Sequence, residues 1–229
     1  MQSEVDVAAV ATLLADPTRT RILWALSDGR TLPAGELARV ARVAPSTASG
    51  HLARLVDGRM LDAVNQGRHR YFRLADPAIV RALEALAVIA PPAPIRSLRE
   101  SERGKALHSA RTCYDHLAGR LGVTLTRALV ESGYVAEQTD GYAVDERGER
   151  WLATLGLDVP ALRRQRRLFA PCCLDWSERR YHIAGALGAA IAARLFALDW
   201  LRRAATSRVV RVTDAGRAGL LREFGIEWP

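Results

Sequence analysis

Apolar residues recur at helical spacing through the first part of the chain, and the breaks in that spacing divide it into elements. Val5 to Ala15 is apolar around most of its face, Asp16-Pro17 interrupts it, and Pro17 and Thr18 open a second helix that runs through Leu26. Leu37 and Val40 mark a short third helix, and Leu52, Leu55 and Val56 a fourth, with the tight turn Val43-Ala44-Pro45 between them. Pro45 suits the first turn of that fourth helix, where its missing N–H would be unpaired anyway, and Ser46 and Thr47 can add capping bonds. Asp57-Gly58 is a stop signal. Beyond it, two alternating runs, Met60 to Val64 and Arg68 to Leu74, flank Asn65-Gln-Gly67 and predict a β-hairpin.

The fourth helix has one apolar face, Ala48, Leu52 and Leu55. Its other face offers Ser46, Thr47, Ser49, His51 and Arg54, small hydroxyls first and longer donors later, with no negative charge among them. That mixture suits the phosphate oxygens and base edges of a major groove. Arg68, His69 and Arg70 at the hairpin tip would meet phosphates or the adjacent minor groove, where cations gain without reading sequence. Helix, tight turn, helix and hairpin together make a winged helix-turn-helix aimed at double-stranded DNA.

Ala15-Asp-Pro-Thr-Arg-Thr-Arg-Ile-Leu23, then Glu36-Leu-Ala38, the Ser/Thr-rich helix and the Gly67 wing resemble the ArsR/SmtB-type bacterial repressors over residues 6–90. The resemblance implies a homodimer that occupies a palindromic operator and is released by an effector, often a metal ion. It also implies a dimer interface built from the first helix and the helix after the wing, 78–89, with Val80, Leu83, Ala87 and Val88 as its seam. Winged helices also serve as protein adaptors, which is the alternative use of this region. The family's two familiar metal sites are missing. Glu36-Leu-Ala-Arg-Val40 lacks Cys-x-Cys, and 78–90 offers only Glu84 as a possible ligand. Any effector site must therefore be elsewhere.

Ala90-Pro-Pro-Ala-Pro94 forbids continued helix and predicts a boundary. The expected organisation is a DNA-binding and dimerisation domain over 1–90, a Pro-rich linker over 91–99, and a C-terminal domain over 100–229 that opens with a helical run across 95–119. Within that domain, residues 116–135 align without a gap to 182–201, with six identities in twenty, among them the shared pattern His-x-Ala-Gly-x-Leu-Gly. Tyr142 to Gly148 then corresponds to Val210 to Gly216. Self-similarity at a fixed spacing points to a duplicated unit of helix, hairpin and closing helix. The expected fold class is mainly α (α+β): an N-terminal winged helix-turn-helix domain plus two repeated winged-helix-like modules, about 113–160 and 179–229. The repeat helices, Val123 to Ser132 and Ala189 to Leu198, are mainly apolar and fit sensing or dimer modules rather than DNA readers.

Composition narrows this further. With 229 residues, 49% hydrophobic and 25% charged, the chain can bury two cores. The net charge of +8 fits a polyanionic partner, but residues 1–90 hold 11 Arg against 9 acidic residues, so charge alone does not locate the DNA face. The N-terminus, Met1-Gln-Ser-Glu-Val-Asp, has neither the basic start nor the apolar core of a secretion signal, which predicts a cytoplasmic protein. The most apolar run, Ile183 to Leu198, contains Arg194 and is shorter than the roughly 20 residues a bilayer requires, so no membrane partner is expected.

Candidate chemistry gathers in the C-terminal half. Cys113 and His116 stand at i, i+3, a metal-compatible spacing on one helical face, and Cys172, Cys173 and His182 follow, with Asp115, Asp175 and Glu178 nearby. If the repeats pack about a pseudo-twofold axis, His116 and His182 are equivalent and approach one another. Thiolate and imidazole together favour zinc or another thiophilic divalent ion, three thiolates a trivalent arsenic-type ion, and the same residues could equally be core filler. Trp176, Tyr181, Trp200, Phe196, Trp151 and Phe169 line either a ligand pocket or the core. Arg163-Arg-Gln-Arg-Arg167 is either a phosphate clamp or a solvated helix face. No phosphate loop, Gly-x-Ser-x-Gly elbow or His-Glu-x-x-His is present, so no enzyme is expected. The alternative is a thiol or redox enzyme, or a ligand-binding protein, using the Cys and His residues of the C-terminal domain, with the winged helix as an adaptor.

Overall fold

The computed structural model describes residues 5–67, 69–91, 94, 97–205 and 207–229. The chain opens with α1 (Val7–Leu14) and α2 (Pro17–Ala25). Asp16 caps α2 by accepting from the N–H groups of Thr18 and Arg19 at 2.8 and 2.9 Å, and Pro17 fills the first helical position. Then come β1 (Leu32–Pro33), α3 (Ala34–Ala41), α4 (Pro45–Asp57), β2 (Leu61–Gln66) and β3 (His69–Leu74). The three strands form an antiparallel sheet in the order β1-β3-β2, with Leu61 opposite Leu74 and Ala63 opposite Phe72. Ile22, Leu23, Leu26, Leu37, Ala41, Leu52, Leu55, Leu61 and Phe72 make its core. Burial of each large one contributes roughly 1.5–3 kcal/mol against its own ordering cost.

Two local expectations are corrected here. The N-cap of α4 is Ala44, with no side-chain capping bond, because Ser46 and Thr47 already lie inside the first turn. The wing turn also begins later than Asn65: Asn65 and Gln66 are strand residues, Gln66 pairs with His69, and Gly67 takes a left-handed φ of 60°. Arg68 lies outside the described residues.

Next is α5 (Ala78–Ile89). Val80 and Leu83, expected on a dimer seam, are instead buried within the chain at 1% and 3% exposure, while Leu86 and Ile89 stand out at 44% and 80%. The chain divides into compact units Met1–Leu83 and Glu84–Pro229, so the boundary falls within α5 rather than at the prolines. Glu84, the first residue of the second unit, is 2% exposed and pairs with Arg208 and Arg111.

The C-terminal unit continues with α6 (Leu98–Ser109), β4 (Arg111–Cys113), β5 (His116–Ala118), α7 (Gly119–Glu131), β6 (Ala136–Gln138), β7 (Gly141–Ala143) and α8 (Glu146–Thr154). It ends with α9 (Val159–Arg163), β8 (Cys172–Leu174), β9 (Tyr181–Ile183), α10 (Gly185–Ala197), β10 (Leu201–Arg203), β11 (Val210–Val212) and α11 (Asp214–Phe224). The expected helix over 95–119 stops at Ser109. Ala110 turns extended, and backbone bonds from Thr112 to Arg208 and from Val210 to Ala110, both 2.9 Å, hold the segment as strand. Thus hairpin, helix, hairpin, helix occurs in this order twice, with a hairpin before each long helix that the sequence pattern did not reveal.

The fold is mixed α+β and mostly helical. One core receives Leu121, Leu125 and Leu129 from α7 and Leu187, Ile191 and Leu195 from α10. The packing crosses over: α7 lies on β9 and α10 on β5. A Cβ at Gly122 would sit 2.4 Å from the carbonyl oxygen of Leu117, and one at Gly188 2.4 Å from that of Ile183, so each helix start presses on its own hairpin. Among the described residues, no helix is long and apolar enough to cross a membrane.

Candidate functional site

On α4, Ala48, Leu52 and Leu55 are buried and Ser46, Thr47, Ser49 and Arg54 are exposed, so the expected polar face is open. The Ser49 hydroxyl donates to the Pro45 carbonyl at 3.0 Å. His51 departs from the row: its side chain is only 16% exposed, with Nδ1 3.6 Å from Asp16. At the wing, His69 and Arg70 are exposed, and the Arg70 guanidinium lies 5.3 Å from the Phe72 ring centre.

In the C-terminal unit, two hairpins bring one cysteine and one histidine each to a common point. Cys113 faces His116 across β4–β5, and Cys173 faces His182 across β8–β9. The spacing of Cys113 and His116 is therefore that of a tight hairpin, closed by Tyr114 at φ 56°, and not of a helix face as expected. One ligand atom from each of Cys113, His116, Cys173 and His182 lies within 4.8 Å of the others, and the two Nε2 atoms are 3.2 Å apart. His182 is fully buried, Cys113 and His116 nearly so, and Cys173 half-buried. Cys172 does not join them. Successive strand residues point to opposite faces, and Cys172 packs against the apolar core instead.

Each histidine turns its other ring nitrogen toward a carboxylate. His116 Nδ1 is 3.5 Å from Asp115, which Arg167 holds, and His182 Nδ1 is 3.9 Å from Asp175. Asp175 is fully buried, accepting from Arg111 at 3.0 Å, from Gly119 N–H at 2.6 Å and, on its other oxygen, from Ser177 and Glu178. Burial opposes its charge, but Arg111 and these donors hold it well below the usual carboxylate range. Arg111, itself 0% exposed, also bonds Leu107 and Ser177 and lies 4.5 Å from the Trp176 ring centre. Neither its role nor its link to Glu84 was evident from sequence, where the segment reads as the end of a helix.

The hydrogen bond with Cys173, together with burial, pushes the Cys113 thiol well above its ordinary value. Burial disfavours a charge on His116, but Cys113 and Asp115 outweigh it and raise the ring to about 9; burial and the charge on His116 lower His182 to about 3. A buried thiol that keeps its proton is a poor nucleophile, which weighs against Cys113 as the reacting group of a thiol enzyme. The aromatics are chiefly core: Trp200 is buried, and Trp151 stacks on Tyr134 at 4.4 Å and meets Phe224 edge-on at 5.3 Å. The arginine run leaves helix after Arg163, which pairs with Glu149.

Comparison with known proteins gives these observations a family. A helix-turn-helix domain family matches residues 14–64. The uncharacterized HTH-type transcriptional regulator YdfF of Bacillus subtilis (strain 168) is 43% identical over 222 residues, 97% of this chain and 98% of that protein, so the match includes both units. The HTH-type transcriptional regulator CmtR of Mycobacterium bovis is 40% identical over 86 residues, 38% of this chain and 72% of its own. Among solved structures, the cadmium metal-sensor CMTR from Mycobacterium tuberculosis is 36% identical across 41% of this chain and 100% of its own, with a TM-score of 0.32. The chain belongs to the ArsR-family helix-turn-helix transcriptional regulators.

Proposed function

We propose that this regulator binds a palindromic operator in double-stranded DNA as a homodimer, acts as a repressor in the cytoplasm, and receives its signal through the C-terminal unit. The observation that carries the reading is α4: a helix whose buried side is apolar and whose exposed side holds Ser46, Thr47, Ser49 and Arg54, next to a wing that exposes His69 and Arg70. Arg68 extends the basic wing in sequence. His51 serves better as a brace to Asp16 than as a base contact. Dimerisation is supported by apolar side chains left to solvent, Val5, Val7 and Val10 at α1 and Leu86 and Ile89 on α5, since exposed apolar groups on neighbouring turns mark an interface.

The C-terminal unit reads as two copies of one module. In support, the shared His-x-Ala-Gly-x-Leu-Gly has one meaning in both places: the histidine enters the cluster, the leucine (Leu121, Leu187) is fully buried, and the last glycine admits a carbonyl. Two modules related by a pseudo-twofold bring their first hairpins together, and the Cys/His cluster lies where those hairpins meet. That makes the cluster the natural seat of an effector signal.

Footprinting of full-length protein on its own promoter region tests the DNA reading. The expected result is two protected half-sites related by two-fold symmetry, one or more helical turns apart. Protection without that symmetry, or none at any salt concentration, would sink the dimeric-operator reading.

A further inference from the structure

We propose that Cys113, His116, Cys173 and His182 are the four ligands of a closed tetrahedral site for one thiophilic divalent cation of the zinc class. The assignment deepens the sensing role given above by naming the chemistry of the signal and the atoms that receive it.

Spacing comes first. Zinc–nitrogen and zinc–sulfur bonds of about 2.0 and 2.3 Å place tetrahedral ligands about 3.3 Å apart for two nitrogens and about 3.8 Å for two sulfurs. The two Nε2 atoms are already 3.2 Å apart, and all four ligand atoms fall within 4.8 Å. Little movement is needed to close the set on an ion.

Tautomers come second. Whatever the charge on His116, two imidazoles that face each other through Nε2 at 3.2 Å can hold only one proton between them. A cation instead takes the lone pair of both and leaves the proton of each ring on Nδ1. Both Nδ1 atoms face a carboxylate, Asp115 at 3.5 Å and Asp175 at 3.9 Å, which is how metal-bound histidines are oriented. The buried His182 Nδ1 has no hydrogen-bond partner, and a proton held there would point to the charge of Asp175.

Charge comes third, and it selects the class. Binding releases both thiol protons, and the proton between the rings moves to Nδ1 or to solvent, leaving two thiolates and two neutral imidazoles. A divalent ion then makes the first coordination sphere neutral, as an almost wholly buried site requires. A trivalent arsenic-type ion wants three thiolates, and Cys172, the third cysteine, is turned to the core. Four protein ligands also leave no open position for catalysis, which fits a sensing or structural ion.

The experiment uses reduced full-length protein purified without a metal-affinity tag, with Co(II) and Zn(II) as probes and no DNA present. Co(II) is expected to bind at one per chain with the visible bands of tetrahedral cobalt and a sulfur-to-cobalt charge-transfer band, and Zn(II) to displace it. Alkylation of the wild-type protein, mapped by mass spectrometry, keeps the test independent of mutant folding. Zn(II) should slow modification of Cys113 and Cys173 by about tenfold or more and leave Cys172 unchanged. Asp115→Asn, a mild change at a hairpin turn, should weaken Co(II) binding by about 10–100-fold. Absence of the charge-transfer band, equal protection of all three cysteines, or a Cys113–Cys173 disulfide in protein that takes no metal overturns the site. A cluster that binds Zn(II) while operator affinity stays the same overturns the sensing role instead and leaves the site standing.

Discussion

The N-terminal and C-terminal units share one kit, a helix beside a two-stranded hairpin, and turn it opposite ways. In the first, α4 buries a single stripe and the wing ends in exposed Asn65, Gln66, His69 and Arg70. In the second, α7 and α10 bury residues along most of their length, and the hairpins beside them carry buried Cys113, His116 and His182. Polar groups on an open face keep their water until a partner displaces it, at little cost to the fold. Polar groups turned inward must be satisfied by one another or by an ion, and any that are not cost stability. The contrast teaches where each unit is tolerant: the first to change at its reading face, the second at almost nothing near its cluster.

The largest expected effect breaks the buried side of that contrast. Asp175→Ala breaks the fully buried pair with Arg111 and leaves Glu84, 3.7 Å away, as that guanidinium's remaining carboxylate; breaking such a buried pair costs about 3–5 kcal/mol. Asp62→Ala removes an ion pair of the same type from the wing, where Arg73 and Asp62 are 57% and 45% exposed and the pair is worth about 1 kcal/mol or less. Urea unfolding of the full chain, with each unit followed by its own probe, measures both. Similar losses from the two changes would mean that Asp175 is better hydrated than its surroundings indicate.

The next effect sharpens the exposed side. Arg54→Ala is expected to change which operator sequence is preferred, by about 1–3 kcal/mol if the contact is bidentate, whereas Arg70→Ala should weaken all sequences alike and reduce the salt slope. Competition binding over a set of operator variants at several salt concentrations separates the two. Equal loss on every sequence from both changes would refute this division between α4 and the wing.

How much of this was legible in the sequence follows the same division. The N-terminal elements were readable because each break has a local cause: Asp16-Pro17 at a cap, Pro45 at a first helical turn, Gly67 at a hairpin. Local chemistry did not disclose β4, which looks like the end of a helix and becomes strand because Ala110 and Thr112 find backbone partners near residue 209. The alignment of 116–135 with 182–201 singled out His116 and His182 as matching positions, and the two rings do meet, their Nε2 atoms 3.2 Å apart. The choice of Cys173 over Cys172 was not, because it depends on which residue of β8 faces inward, a matter of strand phase. The carboxylates behind the histidines were noticed as residues, but not as partners of the outer ring nitrogens. Arg111 and Glu84 lie far apart in sequence and meet only in the fold.

The smallest effect tests both faces with one methyl group. Gly50 sits in the middle of α4 among the exposed residues, and a Cβ built there meets nothing within 4 Å. Glycine inside a helix loses more backbone freedom on folding than alanine, so Gly50→Ala should stabilise the N-terminal unit by about 0.5–1 kcal/mol. The same change in α10, Gly188→Ala, should have the opposite sign, because its methyl group would press into the carbonyl of Ile183. If the exposed row of α4 lies in a groove, however, the space around Gly50 is occupied when DNA is bound. Gly50→Ala should then bind operator more weakly while melting at a higher temperature. Thermal unfolding and operator titration on one preparation read both quantities. A rise in melting temperature with operator affinity unchanged would show that DNA does not approach α4 at this turn, and would move the reading face toward Ser46 and Thr47.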